Sequence, residues 1–242
     1  MRFTVEAEGC DPVVLRTARD GQRGWFLTNL DGWHGTPAPR EGAVEAQGRD
    51  GDLWPVSLTQ GPRTVTLSGY AKCESALDAD RAVALVNGLF GKRLKVTGEG
   101  AGGRRTVHGF LADDPSPRLL GKESKLAFDL IITCPDPVKR GDPVRYTASV
   151  GKCAVRNEGN TGAWPSVRVT GQVTFLTLSL GGHSVTWSGS ADDLSLDFAD
   201  MVPSSGAVTV DDAFQVPPGK SEISVSCNSG ATVAVTVAPA WR

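Results

Sequence analysis

The chain has 242 residues, of which 40% are hydrophobic, 21% are charged and 7% are aromatic. This composition supports one large core or two modest ones, and it excludes an intrinsically disordered chain. The net charge is −2 and neither half of the chain is basic, so the chain has no broad electrostatic footprint for binding a phosphate backbone. We expect no sequence-specific nucleic-acid binding.

Alternation of apolar and polar residues dominates the chain and predicts β-strands. In 63–70, Val65 and Leu67 alternate with threonine and serine, and in 126–132 four apolar side chains share one face. The 29 glycines and 15 prolines are typical of proteins with many short strands and turns. The predicted fold class is therefore mainly β, built from sandwiches or barrels.

One segment, residues 76–90, has the spacing of an amphipathic helix instead. Ser75 followed by Asp78 resembles a capping box, and Gly91 stands where a left-handed C-terminal cap is common. Apolar residues recur every three to four positions between these ends and predict a stripe that packs on a sheet. The residues of this stripe are Ala82, Leu85, Val86, Leu89 and Phe90.

Five basic residues follow the helix on two segments that are predicted to be strands. Gly100, Gly102 and Gly103 between them are interpreted as a hairpin turn, because they lack the Lys-Ser/Thr pair of a phosphate-binding loop. The basic strip is predicted to be a solvated pair of strands or a protein interface. Its members are Lys92, Arg93, Lys95, Arg104 and Arg105.

A domain boundary is predicted at 135–143, where three prolines and a glycine cannot continue a strand ladder. The first domain, 1–137, is expected to be a β-sandwich or split-barrel-like fold with one helix near 76–90. A linker, 138–143, leads to an all-β second domain, 144–242.

The second domain contains further alternating segments. Within 173–180, alternation puts three leucines on the face opposite Val173 and Phe175. Trp187 shares a face with Val185 and is predicted to be a core residue of a sandwich. The alternating segments of this domain are 166–170, 173–180, 222–227 and 232–237.

Catalytic and metal-binding motifs do not emerge from the sequence. His34, His108 and His183 form no H-E-x-x-H or H-x-H arrangement, and no G-x-S-x-G elbow or P-loop occurs. Acidic doublets are predicted to be turn residues rather than acid/base pairs. These doublets are Asp113-Asp114, Asp192-Asp193 and Asp211-Asp212. We therefore expect no enzymatic activity, no cofactor and no metal.

The five cysteines are widely spaced and form no C-x-x-C pair, so neither a zinc ribbon nor a redox motif is indicated. The chain starts without the apolar segment of a secretory signal, and no apolar run is long enough to cross a bilayer. We expect synthesis in a reducing cytoplasm, free thiols and no membrane insertion. The cysteines are Cys10, Cys73, Cys134, Cys153 and Cys227.

A candidate protein interface combines a loop tryptophan with part of the basic strip. Trp33 lies in the loop segment 29–35 and is the better interface candidate than Trp187, because tryptophan often anchors interfaces. The candidate interface residues are Trp33, His34, Lys92, Arg93 and Arg105.

The order of motifs in the first half resembles the N-terminal domain of siphophage distal tail proteins. A Trp-hydrophobic segment, a Leu-x-Gly turn and a Pro-Arg element precede an Arg-led strand that ends in glycine. A helix, two basic strands and a closing strand with a Pro-Asp-Pro exit follow. The matching segments are 25–27, 30–32, 39–40, 48–51, 63–69, 76–90, 91–96, 105–109 and 128–137.

The second half is similar to the galectin-like β-sandwich of the same family. The resemblance covers nearly the whole chain, and the order of the motifs carries it rather than any single motif. No long insertion of the kind that adds a carbohydrate-binding module in some relatives is present. The matching segments are 157–165, 167–171, 217–221 and 240–242.

The resemblance implies a structural protein of the virion. Members of this family form hexameric rings at the tip of the tail tube, with the first domain building the ring and the second projecting outwards. Such a ring joins the tail tube protein to the hub or tail-associated protein, and DNA passes through its lumen. The implied location is the tail tip of the virion, after assembly in the cytoplasm of the bacterial host.

Two other functions stay open on the sequence alone. A sandwich carrying Trp164, His183 and Trp187 is compatible with a carbohydrate-binding or host-receptor-binding module, since exposed tryptophans can stack on sugars. Scattered carboxylates and histidines are compatible with a cell-wall hydrolase, although no triad or metal-ligand spacing supports one.

Overall fold

The computed structural model describes residues 1–17, 23–40, 42–48, 50–55, 58–120, 124–149, 151–228 and 230–242. These residues form many β-strands and one α-helix, which confirms the predicted mainly β fold class. The chain divides into two compact units, Met1–Lys139 together with Arg242, and Arg140–Trp241. They are called the N-terminal unit and the C-terminal unit below.

A barrel-like sheet forms the N-terminal unit. Its elements are β1 (Arg2–Ala7), β2 (Val13–Thr17), β3 (Gly24–Asp31), β4 (Val44–Glu45), β5 (Asp52–Leu53), β6 (Arg63–Lys72), α1 (Ala76–Asn87), β7 (Leu94–Gly100), β8 (Gly103–Leu111), β9 (Arg118–Leu120) and β10 (Lys125–Cys134). The strands run in the order β8-β7-β1-β2-β3-β6-β10, and β10 pairs back with β8 at Ile132–Leu111 and Thr133–Phe110. The sheet therefore closes on itself.

Alternate side chains of these strands fill the interior, as the period-two pattern predicts. The antiparallel β6–β10 pair runs without interruption from Lys72–Lys125 to Arg63–Cys134 and contributes eight buried apolar side chains, with Ala71 and Cys134 among them. The β7–β8 hairpin turns between Gly100 and Gly103, as expected. The buried side chains of these strands include Phe3, Val5, Val13, Leu15, Val65, Leu67, Leu94, Val96, Val107, Leu126, Phe128, Leu130 and Ile132.

Helix α1 begins as the sequence predicts. Ser75 is the N-cap: its Oγ accepts a hydrogen bond from the Asp78 backbone N–H at 3.2 Å and donates one to the Asp78 carboxylate at 2.8 Å. Three residues of the expected stripe, Ala82, Val86 and Leu89, are buried in the same core as the sheet. The cap and the apolar stripe together explain why this segment is helical.

The predicted end of the helix is wrong by three residues. The helix stops at Asn87, with Gly88 as a right-handed C-cap, and the left-handed Gly91 (φ +73°) lies in the turn that follows. Because the chain has already left the helix, Phe90 no longer lies on the apolar stripe. Its side chain is 65% exposed.

The C-terminal unit is a β-sandwich organised around one long hairpin. Strand β11 (Lys139–Arg140) lies where the two units divide. The strands that follow it are β12 (Val144–Thr147), β13 (Lys152–Asn157), β14 (Pro165–Leu180), β15 (His183–Asp197), β16 (Ala207–Asp211), β17 (Gly219–Cys227), β18 (Thr232–Val237) and β19 (Ala240–Trp241). Strand β14 pairs with β15 on one side, and on the other with β18 and then β17. The hairpin is therefore shared by both halves of the sandwich.

A register shift in β14 corrects the predicted facing of its side chains. Alternation alone put Val173 opposite the leucines, but Val173 and Leu176 are both buried, whereas Phe175 is 41% exposed. The β14–β15 pairing shifts register on both sides of Val173. A β-bulge adds a residue and reverses the alternation beyond it, which brings both residues to the core.

Trp187 lies at the centre of the C-terminal unit, as the sequence predicts. Its ring is fully buried, and its Nε1 donates a hydrogen bond to the Ser205 carbonyl at 2.7 Å. A buried indole needs such a partner for its N–H group. The apolar side chains of this core include Val167, Val169, Leu178, Val185, Leu194, Leu196, Phe198, Phe214, Ile223 and Val235.

Candidate protein interface

Between β3 and β6 the N-terminal unit extends an arm, which we define as residues 38–61. Its base is held by backbone hydrogen bonds from Arg40 N–H to the Thr59 carbonyl, 2.8 Å, and from Gly61 N–H to the Ala38 carbonyl, 3.0 Å. Further out, β4 and β5 pair with each other in a separate two-stranded sheet. The described part of the arm is thus a two-stranded projection with its tip at β4 and β5.

The arm carries apolar side chains that the chain itself leaves in solvent. Trp54 is 86% exposed, directly after β5. A two-stranded hairpin is marginally stable alone in water, and large exposed apolar groups commonly mark interaction surfaces. The exposed apolar residues of the arm are Val44, Leu53, Trp54 and Leu58.

A buried arginine fixes the segment that leads into the arm. The Arg63 side chain is 1% exposed. Its Nη1 donates to the carbonyls of Gly32 at 2.6 Å and Gly35 at 2.7 Å, and its Nε donates to the Pro137 carbonyl at 2.8 Å. Burial lowers the pKa of this guanidinium, which nevertheless stays protonated. One planar cation thereby joins the 32–35 turn to the end of the N-terminal unit.

Trp33, a predicted interface residue, is buried in the single chain. Its side chain is only 3% exposed and packs edge-to-face on Phe3, with ring centroids 5.0 Å apart. Gly98 makes room for this contact, because a Cβ there would lie 2.6 Å from the Trp33 ring. Trp33 therefore lies in the core, in the turn that precedes the arm, and does not present its ring to a partner.

A second buried cation lies beside Trp33. Lys139 Nζ donates to the Trp33 carbonyl at 2.9 Å and lies 5.9 Å from the centre of its ring. Burial, with smaller contributions from the Arg63 and Arg105 charges, lowers the pKa of Lys139 to about 8. The neutral form is therefore accessible near physiological pH, unlike that of an exposed lysine.

An open apolar groove of about 640 Å³ lies elsewhere on the N-terminal unit. Phe90, Phe110, Leu111 and Pro135 supply its apolar lining, and Phe110 is 46% exposed. The turn after α1 and the closing β8–β10 pair position these side chains. The charged and titratable residues along the groove are Lys92, Arg93, His108 and Asp136.

Two of the predicted interface residues line this groove. Arg93 is exposed, whereas Lys92 is half-buried, with its Nζ donating to the Glu8 carbonyl at 2.8 Å and approaching Cys10 Sγ at 3.1 Å. His34 is exposed beside Trp33, and Arg105 is half-buried on β8. For these four residues a role in binding stays a prediction.

The aromatic residues of the candidate interface were missed by sequence reasoning. The sequence pattern places Phe90 on the apolar stripe of the helix. Phe110 follows a strand pattern, which does not show which face of the strand packs on the core. Trp54 had a usable signal: it stands beside Pro55 in a segment rich in glycine and acidic residues, where a buried position is unusual.

The rest of the basic strip is a solvated surface of strands. Lys95 Nζ lies 2.9 Å from a Glu6 carboxylate oxygen, and Arg104 Nε lies 3.9 Å from a Glu99 carboxylate oxygen. All four side chains are more than 40% exposed, and such pairs contribute little to stability.

The acidic doublets fall in two kinds of place. Asp114 accepts a hydrogen bond from Ser116 N–H in a turn, as predicted. Asp192 and Asp193, in contrast, lie inside β15, because the long hairpin continues through them. Among the described residues, no group of three or more His, Cys, Asp or Glu side chains could hold a metal ion. In that part of the chain, no helix has the length and apolarity needed to cross a membrane.

Comparisons with known proteins add information at the level of the fold. No family model matches the chain, and no curated protein sequence matches it. The crystal structure of SPP1 Dit, described as a paradigm of the hub adsorption apparatus in Gram-positive infecting phages, is similar with a TM-score of 0.68 and 14% identity over 99% of both chains. Structures of the phage P2 baseplate in its activated conformation, with calcium and with strontium, are similar with TM-scores of 0.54 and 0.56, at 8% identity over 97% of both chains. The chain has the fold of these phage hub and baseplate proteins.

Proposed function

We propose that this protein is a distal tail protein: a structural component of the tail tip of a long-tailed bacteriophage. The end-to-end likeness to SPP1 Dit, over 99% of both chains, carries the proposal. A single β-sandwich is shared by many unrelated functions. The match extends instead over a barrel-like unit with one helix followed by a sandwich.

The proposed role is a ring that joins the tail tube protein to the hub or tail-associated protein, with DNA passing through its lumen. The predicted first domain, 1–137, builds the ring, and the predicted second domain, 144–242, follows it after the linker 138–143. Head-to-tail rings need two different complementary patches on each copy. The N-terminal unit offers an exposed arm and an apolar groove. No catalytic role is proposed.

The native mass of the purified full-length protein tests this proposal. We expect a closed oligomer, near six copies, in native mass spectrometry and as rings in electron micrographs. Antibodies against the protein should label the tail tip of intact virions. A protein that stays monomeric at assembly concentrations, also in the presence of the tail tube and hub proteins, would contradict the proposal.

The alternative of a carbohydrate- or receptor-binding module is less well supported. Trp187 is fully buried, so it cannot stack on a sugar. His183 is exposed, but its Nδ1 lies 3.0 Å from the Asp212 carboxylate, and Trp164 is half-buried. Binding of the full chain to a glycan array, abolished by Trp164→Ala and unaffected by Trp54→Ala, would favour this alternative.

A further inference from the structure

We infer that the arm of one copy docks into the groove of a neighbouring copy, with Trp54 placed between Phe90 and Phe110. This inference rests on the proposed ring, and it names the two surfaces that make one of its contacts. Both surfaces belong to the N-terminal unit, so each copy can donate an arm and accept one.

Exposure indicates that the two surfaces do not satisfy each other within one chain. Trp54 is 86% exposed and Phe90 is 65% exposed, so the indole does not occupy the groove of its own copy. Because the arm and the groove both stay open on each copy, they can contact each other only between two copies. Repetition of such a head-to-tail contact closes a ring when the rotation between copies allows it.

Charge favours the same pairing. Residues 38–61 contain four acidic and two basic residues, and Glu45, Asp50 and Asp52 are exposed near the tip. The groove carries Lys92 and Arg93, together with His108 and a single acid, Asp136. An acidic, apolar arm therefore meets an apolar groove with a basic rim, which is the complementarity that steers and orients protein partners.

Size is consistent with a tryptophan as the central group. An aromatic side chain buries about 150–250 Å², and a cavity of about 640 Å³ has room for the indole of Trp54. A standard interface buries about 800 Å² on each partner. The arm contact is accordingly the aromatic centre of a larger interface, where tryptophan commonly dominates the binding energy.

Photo-cross-linking tests which surface receives the arm. Trp54 is replaced by p-benzoylphenylalanine in the full-length chain, and isotopically light and heavy copies are mixed before irradiation. We expect cross-linked peptides that join a light chain to a heavy chain and contain residues 90–93 or 110–111. Cross-links within one chain, or to any other surface, would overturn the inference. The native mass of the unmodified protein separates this failure from failure of the proposed ring.

Charge exchange provides an independent test. Asp52→Arg and Arg93→Asp, made singly, should each raise the concentration needed for half-assembly by about tenfold, because like charges then face each other across the contact. The double variant should return to within about threefold of the unmodified protein. Equal loss in the single and double variants, with native circular dichroism, would overturn the pairing.

A matched aromatic pair controls for surface hydrophobicity. Phe110→Ala should weaken assembly by about tenfold or more, as expected for a central interface aromatic. Phe175→Ala removes a similarly exposed ring from β14 of the C-terminal unit and should leave assembly unchanged. If the unmodified protein forms rings and both variants assemble normally, the groove does not receive the arm, although the proposed function stands.

Discussion

The two units use buried polar groups in different ways. The N-terminal unit buries two cations, Arg63 and Lys139, and among the described residues Arg63 Nη2 has no hydrogen-bond partner, as is also true of Ser205 Oγ in the C-terminal unit. The C-terminal unit buries a neutral amide, Asn157, whose Nδ2 donates to two carbonyls and whose Oδ1 accepts from two backbone N–H groups. Burying a charge costs more free energy than burying an amide with all its hydrogen bonds made.

The difference suggests what each buried group does. Asn157 joins loops inside a sandwich and can be understood as a contribution to its stability. Arg63 joins the 32–35 turn, from which the arm departs, to Pro137 at the end of the N-terminal unit. A rigid fork with several donors defines geometry better than an amide does. The N-terminal unit thus accepts a desolvation cost where the direction of the arm is set.

The largest expected effect comes from removing the Arg63 guanidinium. Arg63→Met removes the charged donor from the carbonyls of Gly32, Gly35 and Pro137, which should cost about 3–5 kcal/mol of unfolding free energy. Urea denaturation measures the loss, and hydrogen exchange should accelerate in 32–40 before other regions. Arg168→Met, at an exposed side chain on β14 of the C-terminal unit, is the control and should change stability by less than about 0.5 kcal/mol. Equal losses would remove the distinction between the units.

A smaller loss is expected for Asn157→Ala. The substitution removes the four hydrogen bonds of the buried amide, which should lower the unfolding free energy by about 2–3 kcal/mol. Asn228 is a matched control, because it also bridges a carbonyl and an N–H group but on the exposed side of β14. Asn228→Ala should cost less than about 1 kcal/mol. A larger loss at Asn228 would contradict the role of burial in this comparison.

Local patterns explain how much of the fold could be predicted. The alternation in β6 and β10, the Ser75 cap and the core position of Trp187 all depend on residues close together in sequence. Period-two and period-3.6 spacing carry that information directly. The mainly β fold class and the start of the single described helix were therefore accessible from the sequence.

The candidate interface depended on contacts that sequence spacing does not encode. Trp33 is buried because Phe3 and Gly98, distant in sequence, form its pocket. Phe90 is exposed because the helix ends three residues early, and a bulge places Val173 inside. Helix ends and β-bulges shift a pattern by one to three residues, which is enough to move a side chain from core to surface.

The next smaller loss of unfolding free energy is expected at the N-cap of helix α1. Ser75→Ala removes the acceptor for the Asp78 N–H at the only helix in the described residues, and it should cost about 1 kcal/mol. Ser224→Ala, at an exposed strand position of the C-terminal unit, should be neutral within about 0.5 kcal/mol. Thermal unfolding followed by circular dichroism separates the two. No difference between them would mean that packing alone holds α1.

The smallest expected effect is a pH dependence that belongs to the N-terminal unit. The pKa of Lys139 is about 8 in the folded chain and about 10.4 when unfolded, so between these values the unfolded chain binds more protons. Stability from this group should rise with pH in that window, by less than about 1 kcal/mol from pH 8 to pH 9. Lys139→Met should lack the rise, whereas the exposed Lys95→Met should keep it.

The quantity to measure is the difference in unfolding free energy between the native chain and Lys139→Met, because cysteine ionisation changes stability with pH in the opposite direction. Burial raises the pKa of Cys134 to about 11, so stability from this thiol falls above pH 9 as the unfolded chain loses its proton. That contribution is common to the native chain and to Lys139→Met, and it cancels when their unfolding free energies are subtracted. Parallel urea-denaturation curves at pH 7, 8 and 9 would mean that Lys139 stays charged in the folded protein. The contrast between the units would then rest on Arg63 alone.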